Sequence, residues 1–437
     1  MNHAPRLEIL QSQLHRGHDA VRPDDLLNHQ VAAFREVGRE LPPLSGAPHE
    51  RLALLEPHVD FEDVTRGEPS TIEGILSEIS ATDARMEIDR ATISDRLLGG
   101  WLGRCAGNTL GKPFELPMWT AGTIKEYLQL AGAWPLRDYV PAIDPMPTSL
   151  ELREDCWHTT TRGNISYATR DDDLDYTILN LMLLERHGTS FTTEDVGRLW
   201  LELLPFSKTF TAEAAAYRNL TLGIPVPETA TRLNPYREWV GALIRADVFG
   251  FANPGRPLRA ALLAARDARL SHTRNGIYGE MWAAAAVAAA FSAIAPLEIV
   301  AVSLAVVPPR SRLYEAITHI VEMYERGASW EEAITWIQAL GYYRVHVINN
   351  AAIITAALLW SEGDFTQGVS LAVCAGLDTD SNGATAGSIL GVANGARRIP
   401  AVWTTSLNDE LRTALCGYTS LSLLDIARRT EAIIPSE

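Results

Sequence analysis

The sequence predicts an all-α protein, and three observations carry that expectation. Beyond about residue 93, segments such as DYTILNLMLLERHG, TTEDVGRLWLELLP and NNAAIITAALLWSEGD repeat apolar residues at helical spacing. Ser, Thr or Asp stands before these segments and Gly or His-Gly follows them, the start and stop chemistry of helices. Alternating, strand-like stretches are nearly absent.

Taken in order, residues 1–90 read as an N-terminal extension rich in Pro, His, Asp and Glu. Its periodicity is weak except in short patches such as STIEGILSEISA (70–81), so we expect it to be partly helical, with no assignable role. Residues 91–437 then read as the main domain. Its first helix, in GGWLGRCAGNTLGKPFE, carries Gly99, Gly103, Gly107 and Gly111 at every fourth position. A later one, in NGATAGSILGVANGARR, repeats the device with Gly383, Gly387, Gly391 and Gly395. Glycine inside a helix costs about 1 kcal/mol against alanine. Four on one face therefore imply close backbone approach to a small partner. Arg104, Asn108, Lys112 and Asn394 interrupt both segments, which argues for soluble core helices. If the two pack antiparallel on each other, Glu115 and the pair Asp378 and Asp380 converge at one end.

Between them lie TAEAAAYRNLTLG, PLRAALLAARDARLSH and the alanine-rich stretch 281–307. Pro296 and Glu298 break that stretch into pieces too short to span a bilayer, so it reads as two buried helices. The N-terminus has charges throughout and no apolar core of an export signal. A soluble, cytoplasmic protein is the expectation. The net charge of −16 argues against a nucleic-acid or anionic-membrane partner, both of which need a basic face. The four cysteines, Cys105, Cys156, Cys374 and Cys416, form no CxxC and read as free buried thiols.

Three acidic sites stand out. In DDDLDYTIL, Asp171, Asp172 and Asp173 open a helix. One or two acids satisfy a cap and the positive helix end; a third adds repulsion that a bound cation would remove. In AGLDTDSNGATAG, Asp378, Asp380 and the Ser381 hydroxyl precede another helix. Glu115 follows the first glycine helix in a Pro-broken loop, where by itself it reads as a surface acid. Such a set offers hard oxygen atoms without cysteine, suited to Mg²⁺, Mn²⁺ or Ca²⁺. Together the three sites could supply a two-metal centre.

These blocks, with DFTQGVSLAVCAGLDTDSNGATAGSILGVANGARRIPAVW, resemble the signature blocks of the ADP-ribosylglycohydrolase family, in the family's order, over roughly residues 93–430. The resemblance implies a compact, orthogonal multi-helix fold around a binuclear Mg²⁺ (or Mn²⁺) site. It also implies hydrolysis of an ADP-ribosyl N-glycosidic bond, of the ADP-ribosyl-arginine type, in a modified protein or a small ADP-ribosyl compound. Carried over by position, the metal ligands are Asp171, Asp172, Asp173, Asp378, Asp380 and Ser381, and the catalytic set is Glu115, Asp172, Asp173 and Asp380. The chain reads RDDDL where relatives read TDDT, Ser381 replaces a threonine, and Gly376-Leu377 replaces Gly-Gly. In GALIRAD, Gly241 and Arg245 match the family's ADP-ribose loop, whereas Trp239-Val240 replaces its Gly-Asn. Arg245 could instead pair structurally with Asp247 or Glu238.

His272, Asn275, Gly276 and Tyr278, in SHTRNGIYGEM, fall at the family's substrate-side loop. His346, Asn349 and Asn350 read as caps of the next helix. Two other readings remain open at this stage: a hydrolase of a free small riboside or nucleotide with the same metals, and a non-catalytic ADP-ribose binder or structural protein.

Overall fold

The computed structural model describes residues 67–292 and 295–435. The reading of residues 1–66 as part of an extension lies outside the described residues. The described chain is helical almost throughout. Its helices are α1 (Ile72–Glu78), α2 (Ile93–Gly111), α3 (Ala121–Leu130), α4 (Trp157–Thr160), α5 (Asp172–His187), α6 (Thr193–Leu203), α7 (Thr211–Thr221), α8 (Asp247–Phe251) and α9 (Pro257–Ala268). Then follow α10 (Asn275–Ala290), α11 (Pro296–Leu304), α12 (Arg312–Glu325), α13 (Trp330–Ala339), α14 (Val347–Trp360), α15 (Phe365–Cys374), α16 (Thr379–Asn394), α17 (Ala401–Thr404) and α18 (Leu423–Ala432). The strand signal missed from sequence is one short antiparallel hairpin, β1 (Glu410–Arg412) with β2 (Ser420–Ser422).

The two glycine helices form the centre of the fold. A Cβ added to Gly99, Gly103 or Gly107 would meet the carbonyl oxygen of Gly391, Gly387 or Gly383 at 2.3, 2.1 and 1.9 Å. Gly111 faces the Thr379 carbonyl in the same way, at 2.2 Å. The partner numbers fall as the α2 numbers rise, so α2 and α16 run antiparallel with their backbones in contact. Such closeness is open only to glycine. Gly395 departs from the expected stripe. It ends α16 at φ 77° and packs against the Asp95 side chain.

Around this pair lie α15, α14 and α10 against α16, and α18 against α2. The alanine-rich α10 is buried along its whole length, held among α8, α9 and α11. Pro296 starts α11. Among the described residues, no helix is long and apolar enough to cross a membrane. Cys105, Cys156 and Cys374 are buried, but Cys416 is exposed, against expectation.

The segment from Gly67 to α1 is fastened to this body. Glu68 is buried and accepts from the Arg312 guanidinium, while the Pro69 carbonyl accepts from the Tyr278 hydroxyl.

Candidate metal centre and cavity

The antiparallel glycine seam fixes where the acids meet. It sets the C-terminal end of α2, with the turn through Lys112 and Glu115, against the N-terminus of α16, with Asp378 and Asp380. The N-terminus of α5 is pinned to the same end. The Arg104 guanidinium, rising from α2, donates to the Asp173 and Ile244 carbonyls and pairs with Asp247.

Asp171 caps α5, its side chain accepting the Asp173 N–H at 3.2 Å. It also takes the Lys112 ammonium, which donates a second bond to the Arg170 carbonyl at 2.8 Å. Burial opposes charge on Asp171, but the Lys112 ammonium holds its carboxyl far below the ordinary range. Asp173 accepts from the Asn108 amide at 3.1 Å, and Ser381 Oγ lies 3.4 Å from the same oxygen. The other oxygen of Asp173 is buried and takes no hydrogen bond. Asp175, the fourth acid of the run, is outside this group. It binds Arg170 at 2.7 Å and accepts the Ala414 N–H.

Asp378 precedes α16 in a turn where Gly376 and Leu377 have φ of 78° and 63°. The second value lies in the left-handed region, where a leucine is strained. Arg344 holds the turn by donating to the Leu377 carbonyl, with Asp378 Oδ1 3.9 Å from its guanidinium. Asp380 accepts the Ser381 N–H at 3.0 Å. Glu115 is half-buried and paired with Arg153.

Two triads of carboxylates result, Glu115 with Asp378 and Asp380, and Asp171 with Asp173 and Asp380. Within each, one oxygen per residue lies within 4.8 Å of the others. Asp380 belongs to both. Packing these acids together is costly in the protein alone. Burial and the neighbouring acids push Asp172 and Asp173 well above the ordinary carboxyl range, Asp378 to about 7 and Asp380 to about 6. A hard divalent cation fits what is present: an all-oxygen donor set, a buried carboxylate oxygen on Asp173 that takes no hydrogen bond and lies 3.9 Å from Arg104, and mutual repulsion that it would relieve. The cluster could hold a metal ion.

The acids line one side of a cavity of about 860 Å³. Glu115, Asp171, Asp172, Asp173, Asp378, Asp380 and Ser381 all reach it, and so does Gly241. Elsewhere its wall carries Lys208, Arg218 and Arg344, the exposed rings of Phe206 and Phe210, and Glu213.

Arg245, His272, Asn275, Gly276 and Tyr278, expected on the substrate side, do not line this cavity. Arg245 is wholly buried, and its ion pairs are with Glu213 and Asp267 rather than with Asp247 or Glu238. Asp247 serves Arg104, and Glu238 serves Arg274 and Arg312. Asn275 donates to Glu238 at 2.8 Å and accepts the Leu313 N–H. Gly276 packs against the Arg237 carbonyl and His272. His272 bonds Ser271 and borders a separate hollow of about 240 Å³. These are core contacts that sequence proximity alone could not separate from ligand contacts. His346 caps α14, and Asn350 anchors the Asp378 turn by accepting its N–H at 3.3 Å.

Sequence reasoning missed Lys112, Asn108 and Arg104 as supports of the acids. All three were visible as polar breaks in the first glycine helix, and only the three-dimensional seam shows where they point. Phe206, Phe210 and Glu213 carried no motif.

No curated protein matches the chain. A solved structure described as an ADP-ribosylglycohydrolase-related protein complex is similar at 22% identity, covering 79% of this chain and 98% of that one, with a TM-score of 0.49. The model of ADP-ribosylglycohydrolases matches residues 89–432, a span that begins just before α2 and ends with α18. The acid-lined end of the glycine seam thus lies within a chain that belongs to the ADP-ribosylglycohydrolase family, metal-dependent glycosidase-type hydrolases of ADP-ribosyl linkages.

Proposed function

We propose that the protein hydrolyses the N-glycosidic bond between an ADP-ribosyl group and an arginine-type acceptor, using two Mg²⁺ ions. The observation that carries this reading is the pair of acid triads joined through Asp380 on the wall of a ligand-sized cavity. Asp171, Asp173, Asp378 and Asp380 would hold the ions, with Asp172 and Ser381 completing the donor set. Bound there, divalent ions supply Lewis-acid polarisation and lower the pKa of water.

The chain's own groups do the rest. Lys112 and Asn108 fix Asp171 and Asp173, so the acids meet the ligand already oriented. Arg344 braces the Asp378 turn. Glu115, paired with Arg153, or one of the aspartates Asp172, Asp173 and Asp380, would orient a water and take its proton. Further along the cavity, Lys208 suits a diphosphate, with the charge of Arg218 behind it, a guanidinium held by Asn219 and the Arg232 and Leu233 carbonyls. The exposed Phe206 and Phe210 rings offer a surface on which a base can stack.

The test is release of ADP-ribose from an arginine-ADP-ribosylated peptide, followed by mass spectrometry, with Mg²⁺, with chelator and with Asp380→Ala. Release that needs both metal and Asp380 supports the reading. Metal binding without release would sink the arginine substrate and favour a free riboside.

A further inference from the structure

Glu213 is a buried carboxylate of the cavity wall that belongs to neither acid triad. It stands in the first turn of α7 and is 3% exposed. One oxygen accepts from Arg245 Nη1 at 2.7 Å. Arg245 is itself fixed by Asp267, by the Ser271 hydroxyl at 3.0 Å and by the Gly241 carbonyl, so the carboxylate is held rigidly. The carboxyl also accepts from its own backbone N–H.

The wall is shaped around this group. A Cβ on Gly241 would stand 2.1 and 2.4 Å from the two Glu213 oxygens, so the carboxylate occupies the space that any other residue at 241 would fill.

The charges around it do not balance. The single cation Arg245 is shared by two carboxylates, Glu213 and Asp267. Glu280, on α10, approaches Arg245 at 4.0 Å, and burial and Asp267 push its carboxyl well above the ordinary range. His272, 3.9 Å from Glu213, is pushed well below the ordinary imidazole value by burial and Arg245 and adds no charge. Burial, with Glu213 nearby, pushes the Tyr176 hydroxyl on α5 well above its ordinary range. Two carboxylates thus meet one guanidinium at the cavity wall, and burial, against the pull of Arg245, raises the Glu213 carboxyl to about 7. A cationic hydrogen-bond donor on the ligand would satisfy it.

We propose that Glu213 is a specificity-determining residue that receives the guanidinium of the acceptor. This rests on the ADP-ribosyl-arginine reading of the same cavity and names the group that selects the arginine.

The experiment measures binding to the full-length, Mg²⁺-loaded protein by calorimetry, comparing N-acetyl-arginine amide with its neutral isostere N-acetyl-citrulline amide. The wild type is expected to favour the guanidine by roughly tenfold, the size of a charge-assisted hydrogen bond. Glu213→Gln should bring the two within about twofold without weakening the citrulline ligand, and Glu213→Asp, monitored by melting to establish folding, should keep part of the preference. Equal or undetectable binding of both ligands by the wild type overturns the proposal, as does a preference that survives in Glu213→Gln. The readout is independent of turnover. Selective guanidine binding without ADP-ribose release would sink the reaction and leave the role of Glu213 standing.

Discussion

Adding one methyl group at Gly107 should loosen the whole centre of the molecule. In Gly107→Ala the new Cβ would lie 1.9 Å from the Gly383 carbonyl oxygen and 2.3 Å from its carbon. Ordinary C···O contact begins near 3.3 Å, so α2 and α16 would have to part by about 1.4 Å. Tilting gives no escape, because the next contacts along the seam, Gly103 on Gly387 and Gly111 on Thr379, are as close on either side. Overpacking costs about 1–3 kcal/mol where side chains can yield, and occasionally more; here the obstacle is backbone. We expect a loss of about 4–5 kcal/mol, offset by about 1 kcal/mol of improved helix propensity. A melting entropy of roughly 2.1 cal/mol/K per residue gives about 0.9 kcal/mol/K for 437 residues. The net loss is then a fall of about 4 °C in Tm. Mg²⁺ affinity should fall with it, since the same seam aligns Asp378 and Asp380 with Glu115. The control is Gly122→Ala in the exposed first turn of α3, where the nearest atom is the Thr120 hydroxyl at 3.7 Å. It should be neutral or stabilising by up to about 1 kcal/mol. A Gly107→Ala protein that melts no lower than wild type and binds Mg²⁺ equally well would refute the reasoning.

Asp380 serves both triads, so Asp380→Ala should remove most Mg²⁺ affinity and at least ~10³-fold in kcat, whereas Ser381→Ala should cost on the order of tenfold; calorimetry and ADP-ribose release check both. Mg²⁺ should raise Tm more as pH rises from 5.5 to 7.5, because Asp378 and Asp380, at about 7 and about 6 against 3.8 for a free aspartate, must lose protons to bind it. In chelator the sign reverses: these carboxyls hold protons in the folded chain that the unfolded chain has released, so their contribution to stability falls as pH rises from about 4 to 7. A Mg²⁺ shift independent of pH would contradict this account. Phe210→Ala, at a ring 48% exposed on the cavity, should raise KM for an ADP-ribosyl substrate by about tenfold with little change in kcat or Tm, as steady-state kinetics would show.

The parts of the fold that could be read from the residues are those where local cost demands an explanation. Four glycines spaced by four make sense only if another backbone lies against them, and the partner was legible because it shows the same defect. The acid runs gave the same kind of signal: a cap explains Asp171, but not Asp171, Asp172 and Asp173 together. Gly395 kept the spacing yet ends its helix, because periodicity cannot tell a stripe residue from a positive-φ stop. Arg245 shows the opposite limit. Its place in GALIRAD suggested a ligand contact, yet a buried arginine is satisfied by whichever acids the tertiary fold brings to it. Glu213 and Asp267, 32 and 22 positions away, leave no trace in the local sequence. The same non-locality hid the cavity wall opposite the acids. Gly241 was legible as a glycine, but its cause, a carboxylate standing where a Cβ would be, belongs to another helix. Residues that bind through what they lack are found in sequence only when the group that fills the space is already known. The substrate side is therefore less legible than the metal side: Asp171 and Asp173 sit in one run, Asp378 and Asp380 in another, whereas the ligand wall is assembled from single residues of α7, the Gly241 turn and the Arg344 loop.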